Sequence, residues 1–199
     1  MTSPRRMGPE NSKTRLRFLD IAERLMLEEG YAAVGIRRVA REAGVTPALI
    51  HYYFRTLDDL FVALIRRRSE QELEAQERAL ESGGLLRSLW AYNSHPRGAT
   101  LNVEFIALSN HRKAVRAELV GYAERARELQ RKAVADYLKA RGIDPETLPP
   151  LALTVLISTV SRALTIEDAM GLTVGHDEAL ALVEEYLRKI DGAPVQDAE

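Results

Sequence analysis

Cysteine is absent from the chain, which excludes a disulfide framework, a thiolate metal site and a thiol nucleophile together. Histidine is scarce, and His51, His95, His111 and His176 show no metal-ligand spacing, so neither a metal nor another cofactor is expected. There is no Glu-x-x-His pair, no Ser/His/Asp arrangement and no phosphate-binding loop, so no enzyme and no catalytic residue is expected. No run reaches the eighteen or so apolar residues of a membrane span, and the opening MTSPRRMGPENSK has no apolar signal core. These absences imply a cytoplasmic protein with no membrane partner.

The 199 residues suffice for one large domain or for a small domain joined to a larger one, with a sizeable core either way. The formal net charge of -1 conceals an asymmetry. Residues 1–68 carry thirteen Lys+Arg against eight Asp+Glu, whereas residues 69–199 carry fifteen against twenty-one. Any nucleic-acid contact therefore belongs to the first third. Arginine outnumbers lysine by 23 to 5, so position rather than residue type must decide which arginines matter.

Nearly every segment between turn signals has a helical period, and no alternating strand is found, so the fold class is all-α with about nine helices. Helix 1 starts at the N-cap Ser12, buries Phe18, Ile21, Ala22, Leu25 and Met26, and stops at Gly30. Short helices follow at 36–43, ended by Gly44, and at 47–53, with Thr46 as N-cap and Pro47 at the first helical position. A long helix covers 57–81, with Leu57, Leu60, Phe61, Leu64 and Ile65 on its inner side, and ends at Gly83-Gly84. Further helices are expected near 85–93, 98–110, 113–140, 148–170 and 177–190, with disordered ends at 1–11 and 191–199.

The first three helices have the lengths and the glycine-containing turn of a helix-turn-helix, with Ala40 at the close crossing and Val45 and Ile50 filling the core. That pattern points to DNA. The stretch FLDIAERLMLEEGYAAVGIRRVAREAGVTPALIHYYF resembles the DNA-binding domain of tetracycline-repressor-type (TetR-family) regulators along its whole length. The match includes Gly30-Tyr31, Val39-Ala40, Ala43-Gly44-Val45 and the Tyr-x-Phe ending at Phe54. The resemblance implies a DNA-binding domain over 12–56 and a ligand-binding and dimerisation domain over 57–190. It makes Thr46 to Tyr53 the recognition helix. Pro47, Ala48 and Leu49 would then face base edges, with Arg37 reaching a base from helix 2. Thr46, Tyr52 and Tyr53 would touch phosphates, together with backbone N–H groups at the start of helix 2.

Three residues depart from the family pattern: Gly35 stands for the usual Thr or Ser, His51 for the usual tyrosine and Leu57 for the usual lysine. Affinity is then expected to lean on Arg37, Arg38, Arg55 and the arm residues Arg5 and Arg6. Tyr31 and Phe54 read as core, and Arg66-Arg67-Arg68 as a solvated helix face. Two readings stay open for His51, facing DNA or partly packed, and two for Arg5 and Arg6, a minor-groove arm or a tail.

The segment LALTVLISTVSRAL is nearly apolar all round yet interrupted by Thr154, Ser158, Thr159, Ser161 and Arg162, which suits burial in protein rather than lipid. The resemblance makes 148–170 and 177–190 the interface of a homodimer. The helices over 85–140 hold Leu86, Leu89, Trp90, Val103, Phe105, Ile106, Leu108, Tyr122 and Leu129, candidates for the walls of an enclosed cavity, though each also reads as plain core. Asn102, His111, Ser158 and Arg162 are candidate polar fixtures, and such walls suit a lipophilic effector. The implied function is an effector-released repressor on a palindromic double-stranded operator. An activator or an effector-independent regulator on the same fold is the alternative. A helical adaptor protein would leave the capped recognition helix and the basic first third unexplained.

Overall fold

In the computed structural model, residues 12–80 and 84–192 are described. Arg5, Arg6, the rest of the arm to residue 11, Gly83 and the tail from 193 lie outside them. Among the described residues there are nine α-helices, one 3-10 turn and no strand. The helices are α1 Lys13–Glu29, α2 Ile36–Ala43, α3 Pro47–Tyr53, α4 Leu57–Leu80, α5 Leu85–Asn93, α6 Pro96–Ser109, α7 Lys113–Lys139, α8 Pro150–Ala169 and α9 His176–Asp191. The expected all-α class is the observed one. The chain divides into two compact units, the first holding the chain up to Glu70 with Leu101–Gly121, the second Gln71–Thr100 and everything from Tyr122. The boundary falls inside α4, α6 and α7.

The first unit is built around the short helices. Ser12 caps α1 by accepting the Arg15 backbone N–H at 3.1 Å, and Phe18, Leu19, Ala22, Leu25 and Met26 form its buried face. Gly44 ends α2 at φ 68°, a left-handed conformation that allows the tight turn into α3. Ala40, with 1% of its surface exposed, leaves room where the two helices cross. The start of α4 carries a reciprocal cap: the Thr56 hydroxyl oxygen accepts the Asp59 N–H at 3.1 Å, and the Asp59 carboxylate accepts the Thr56 N–H at 2.9 Å. Leu60, Phe61, Leu64 and Ile65 of α4 join this core, together with Leu101, Phe105 and Leu108 of α6 and Val115 of α7.

Polar contacts fasten the same unit. Arg67 bonds Asp20 at 2.6 Å and Glu23 at 2.9 Å, tying α4 to α1, and Arg66 bonds Glu118 at 2.8 Å. The stretch Arg66-Arg67-Arg68 is therefore not the solvated face expected from sequence, because Arg67 is bound to α1 with a side chain only 16% exposed. Arg112 pairs with Asp58 at the first turn of α4. From α6, the Glu104 carboxylate accepts the Tyr31 backbone N–H at 2.7 Å, just after Gly30 has turned the chain at φ 82°.

In the second unit, α5 packs on α8, and Leu85, Leu86, Leu89, Val134, Leu138, Leu153, Ile157 and Leu187 form the core. A buried polar chain runs through it, with Gln76 and Gln130 only 2% and 4% exposed. Gln130 donates to the Gln76 amide oxygen at 2.8 Å, and Gln76 donates to the Tyr92 and Tyr122 hydroxyl oxygens, each at 3.3 Å. Tyr92 in turn donates to Glu72. Burial first, then Tyr122 and the bond to Glu72, hold the Tyr92 hydroxyl protonated well above the usual phenol range. Helix α8 is long and apolar enough to cross a membrane by length and composition, yet only 28% of its most apolar window is buried.

The Glu104 bond satisfies a backbone donor at the turn that sets the angle between α1 and α2. Glu104→Ala is expected to cost roughly 1–2 kcal/mol in urea unfolding. Glu104→Gln, which keeps an acceptor, is expected to recover about half of that or more.

Candidate nucleic-acid interface

Helix α3 has seven residues, and its faces are sharply divided. Ile50 is completely buried, whereas Thr46, Pro47, Ala48, His51 and Tyr52 are exposed. Leu49 and Tyr53 are shared, both packing in part on the core, with the Tyr53 ring edge-on to Phe18 at 5.7 Å. Tyr52 stands edge-on to Tyr53 at 5.0 Å and is 45% exposed. Thr46 occupies the N-cap position but makes no side-chain capping bond, so its hydroxyl is not consumed by the helix. Pro47 at the first position pre-sets the helical φ without wasting a donor.

The basic residues of this unit fall into two sets. Arg38 is held by Glu29 at 2.7 Å and Glu42 at 3.2 Å, and Arg24 by Glu28 and Glu42, each at 3.0 Å. The hydrogen bond from Arg24, helped by the charge of Arg38, keeps the Glu42 carboxyl below its ordinary range. By contrast, among the described residues Arg37, Arg41, Arg55, Arg17 and Lys13 are exposed and make no ion pair. An arginine without a carboxylate can offer its planar donor fork to a phosphate or a guanine edge, whereas Arg38 must first give up its partners. Arg37 and Arg41, one turn apart on α2, are thus open, and Arg38 is not. Arg41 was not among the arginines read from the sequence, and its i, i+4 spacing from Arg37 was the available signal.

The N-terminus of α2 has Gly35 in the cap position with no side-chain bond, so first-turn backbone N–H groups remain for water or an anion. His51 is exposed rather than packed, and its Nδ1 lies 3.1 Å from the Arg55 carbonyl oxygen. Leu57, in place of a lysine, packs partly against the core.

The residues singled out as an effector pocket divide between the units. Phe105 and Leu108 belong to the core of the first unit, and Asn102, on the same helix, is half-buried with its Oδ1 shielded and without a bonding partner. Val103 and Ile106 are 41% and 51% exposed, so in this structure they wall no enclosed space within their unit. In the second unit Leu86 is buried and Trp90 half-buried against the same cluster, and Tyr122 belongs to the polar chain. The Ser158 hydroxyl donates to the Val155 carbonyl of its own helix at 3.1 Å, and Arg162 is half-buried. A half-open groove of about 280 Å³ runs between α5 and α9, lined by Arg87, Trp90, Leu180, Val183, Glu184 and Leu187.

Residues 18–64 match the family model described as bacterial regulatory proteins, tetR family. Solved structures with the same fold include a putative transcriptional regulator from Saccharomonospora viridis in complex with choline. It is 19% identical with a TM-score of 0.69, over 94% of this chain and 100% of that one. The reduced form of E. coli NemR is 19% identical with a TM-score of 0.72, over 92% and 100%. The regulator FadR from Bacillus subtilis in complex with stearoyl-CoA is 16% identical with a TM-score of 0.63, over 90% and 98%. Residues 18–64 thus match the DNA-binding segment of the tetR family of bacterial regulatory proteins, and the chain shares its all-α fold with these regulators along nearly its whole length.

Proposed function

We propose that this protein is a repressor that binds a palindromic operator as a homodimer and is released when a small molecule binds its second unit. The observation that carries DNA binding is the exposed face of α3 beside the ion-pair-free Arg37 and Arg41. Arg37 reads a base, Pro47, Ala48 and Leu49 meet base edges through apolar contact, and Thr46, His51, Tyr52 and Tyr53 line the phosphates. The working division is 12–56 for DNA and 57–190 for effector binding and dimerisation, although packing groups 57–70 and 101–121 with the DNA-binding helices. A DNA-binding role in turn places the protein in the cytoplasm.

Dimerisation rests on the apolar surface that α8 and α9 leave uncovered. On α8, Ala152, Leu156, Thr159 and Ala163 form an exposed stripe at helical spacing, away from the buried Leu153, Ile157 and Ser161. On α9, Leu182 and Tyr186 are 55% and 59% exposed at i, i+4. A second copy turning the same two helices toward these would bury both stripes in a two-fold interface.

For the effector, the complexes of relatives with choline and with stearoyl-CoA support a ligand site on this fold while leaving its chemistry open. Leu86 and Trp90 supply apolar wall here, and the Gln76–Tyr122 chain supplies hydrogen-bonding groups. That combination suits a mainly lipophilic molecule with one polar anchor. Helix α4 is continuous from Leu57 to Leu80 and contributes to both units, which makes it the coupling element between ligand and DNA. By linkage, effector and operator must weaken each other by the same factor.

Selection from random duplexes with purified protein is expected to yield a palindrome whose half-site centres lie about 34–36 Å apart or somewhat more. Failure to enrich any motif overturns the reading. Arg37→Ala is expected to relax one symmetric pair of positions at a cost of roughly 1–3 kcal/mol per half-site. Arg38→Ala, which removes only the ties to Glu29 and Glu42, should leave the selected motif as it was. For the interface, the double variant Leu156→Glu, Tyr186→Glu is expected to run as a folded monomer in light scattering, and a persistent dimer would move the interface elsewhere.

A further inference from the structure

The exposed ring of His51 is fixed by one bond whose polarity is unambiguous. A carbonyl oxygen can only accept, so the Nδ1 that lies 3.1 Å from the Arg55 carbonyl carries a proton. In the neutral ring this leaves Nε2 as a bare acceptor. His51 follows Pro47 by four residues and Ala48 by three, so it continues the same helix face one turn later. Residues in the first turn of a recognition helix reach base edges, and a residue one turn on lies nearer the wall of the groove, where the phosphates are. There a neutral Nε2 meets a phosphate oxygen as acceptor against acceptor. Once protonated, the same atom donates to that oxygen while Nδ1–H stays on Arg55.

We propose that His51 is a phosphate contact gated by protonation, so that DNA binding strengthens as pH falls through the imidazole range. The proposal rests on α3 being the recognition helix. Each ring takes one proton from solvent when it binds, and the phosphate supplies the counter-charge. Among the described residues the ring's bonded partner is the Arg55 carbonyl, not a carboxylate. Helix α2, packed on α3, brings Arg37 and Arg41 without ion pairs, together with Arg38 and with Glu42, which Arg24 and Arg38 hold. Helix α3 carries no carboxylate. On α4, Asp58 is paired with Arg112 and Asp59 accepts the Thr56 N–H. Helix α1, packed on α3 through Phe18 and Tyr53, brings Arg15 over the Phe54 ring at 5.0 Å, with Lys13 and Arg17 exposed beside it in sequence. Arg55 itself is exposed and cationic. The sign follows: a proton bound more tightly in the complex means affinity that is fully present at low pH and lost as pH rises.

The test is fluorescence anisotropy of the full chain on a duplex selected with the wild type, from about pH 8 to about pH 5.5, at several salt concentrations. The wild type is expected to tighten by about tenfold or more across that range, with a salt slope steeper at low pH by about 0.9 for each phosphate that a protonated ring neutralises. His51→Gln and His51→Tyr, neither of which can take up the proton, are both expected to give flatter pH profiles and a salt slope independent of pH. A pH dependence that survives in both variants overturns the proposal, as does a wild-type salt slope that does not change with pH. If no duplex can be selected, the DNA-binding reading fails as well; a selected duplex bound with a flat profile overturns the role of His51 alone.

Discussion

A seven-residue helix has no stability of its own, because nucleation costs more than so few backbone bonds return. Everything in the first unit can be understood as holding α3 in place while keeping one side of it bare. Ile50 and Phe54 plant its far side in the core at 0% and 1% exposure. Phe18 meets the Tyr53 ring, Arg15 sits over Phe54, and Gly44 sets the turn that precedes the helix. The packing extends well past the helix-turn-helix in sequence. Leu101, Phe105 and Leu108 share its core, and Glu104 satisfies the backbone at the α1–α2 turn. A module that looks self-contained at 12–56 is in fact completed by residues of α4, α6 and α7.

Charge is organised to the same end. The basic excess of the first third is real, but much of it is neutralised locally: Arg24 and Arg38 share Glu42, and Arg67 is closed off by Asp20 and Glu23. Exposed pairs of this kind add little stability. Their effect is on availability, since a guanidinium already bonded to carboxylates must lose those bonds before it can serve a phosphate. What remains open among the described residues of this unit is Arg37 and Arg41 on α2, Arg55 just after α3, and Lys13 and Arg17 on α1.

Much of this was legible in the sequence, for a physical reason. Helix ends are written by residues whose backbone preferences are local: Ser12, Gly30, Gly44 and Pro47 each stand where a cap, a left-handed turn or a first position was read from sequence. Boundaries drifted at prolines in both directions: α6, expected from 98, begins at Pro96, and α8, expected from 148, begins only at Pro150. What could not be read was pairing across helices. Whether an arginine is free depends on partners such as Glu42, eighteen residues from Arg24, and no periodicity announces that contact. The bond from the His51 ring to Arg55 is only four residues long, yet it depends on how the chain leaves α3, which residue type alone does not determine.

Helix α8 shows the same limit from the other direction. Its sequence reads as buried on all sides with polar interruptions, and those interruptions invite a role in a pocket. In the structure, Thr154, Ser158, Ser161 and Thr165 return their hydroxyl protons to carbonyls of their own helix, at 2.8, 3.1, 2.6 and 2.8 Å. A hydroxyl satisfied in this way can be buried against apolar neighbours at little cost, and it narrows the helix without interrupting it. The small polar residues therefore let α5 come close on one side, while Leu156 and its neighbours keep an apolar stripe on the other. In the proposed homodimer this helix would be covered on two sides, by its own chain and by a second copy, and a helix covered in that way is apolar nearly all round, which would account for a composition that resembles a membrane segment.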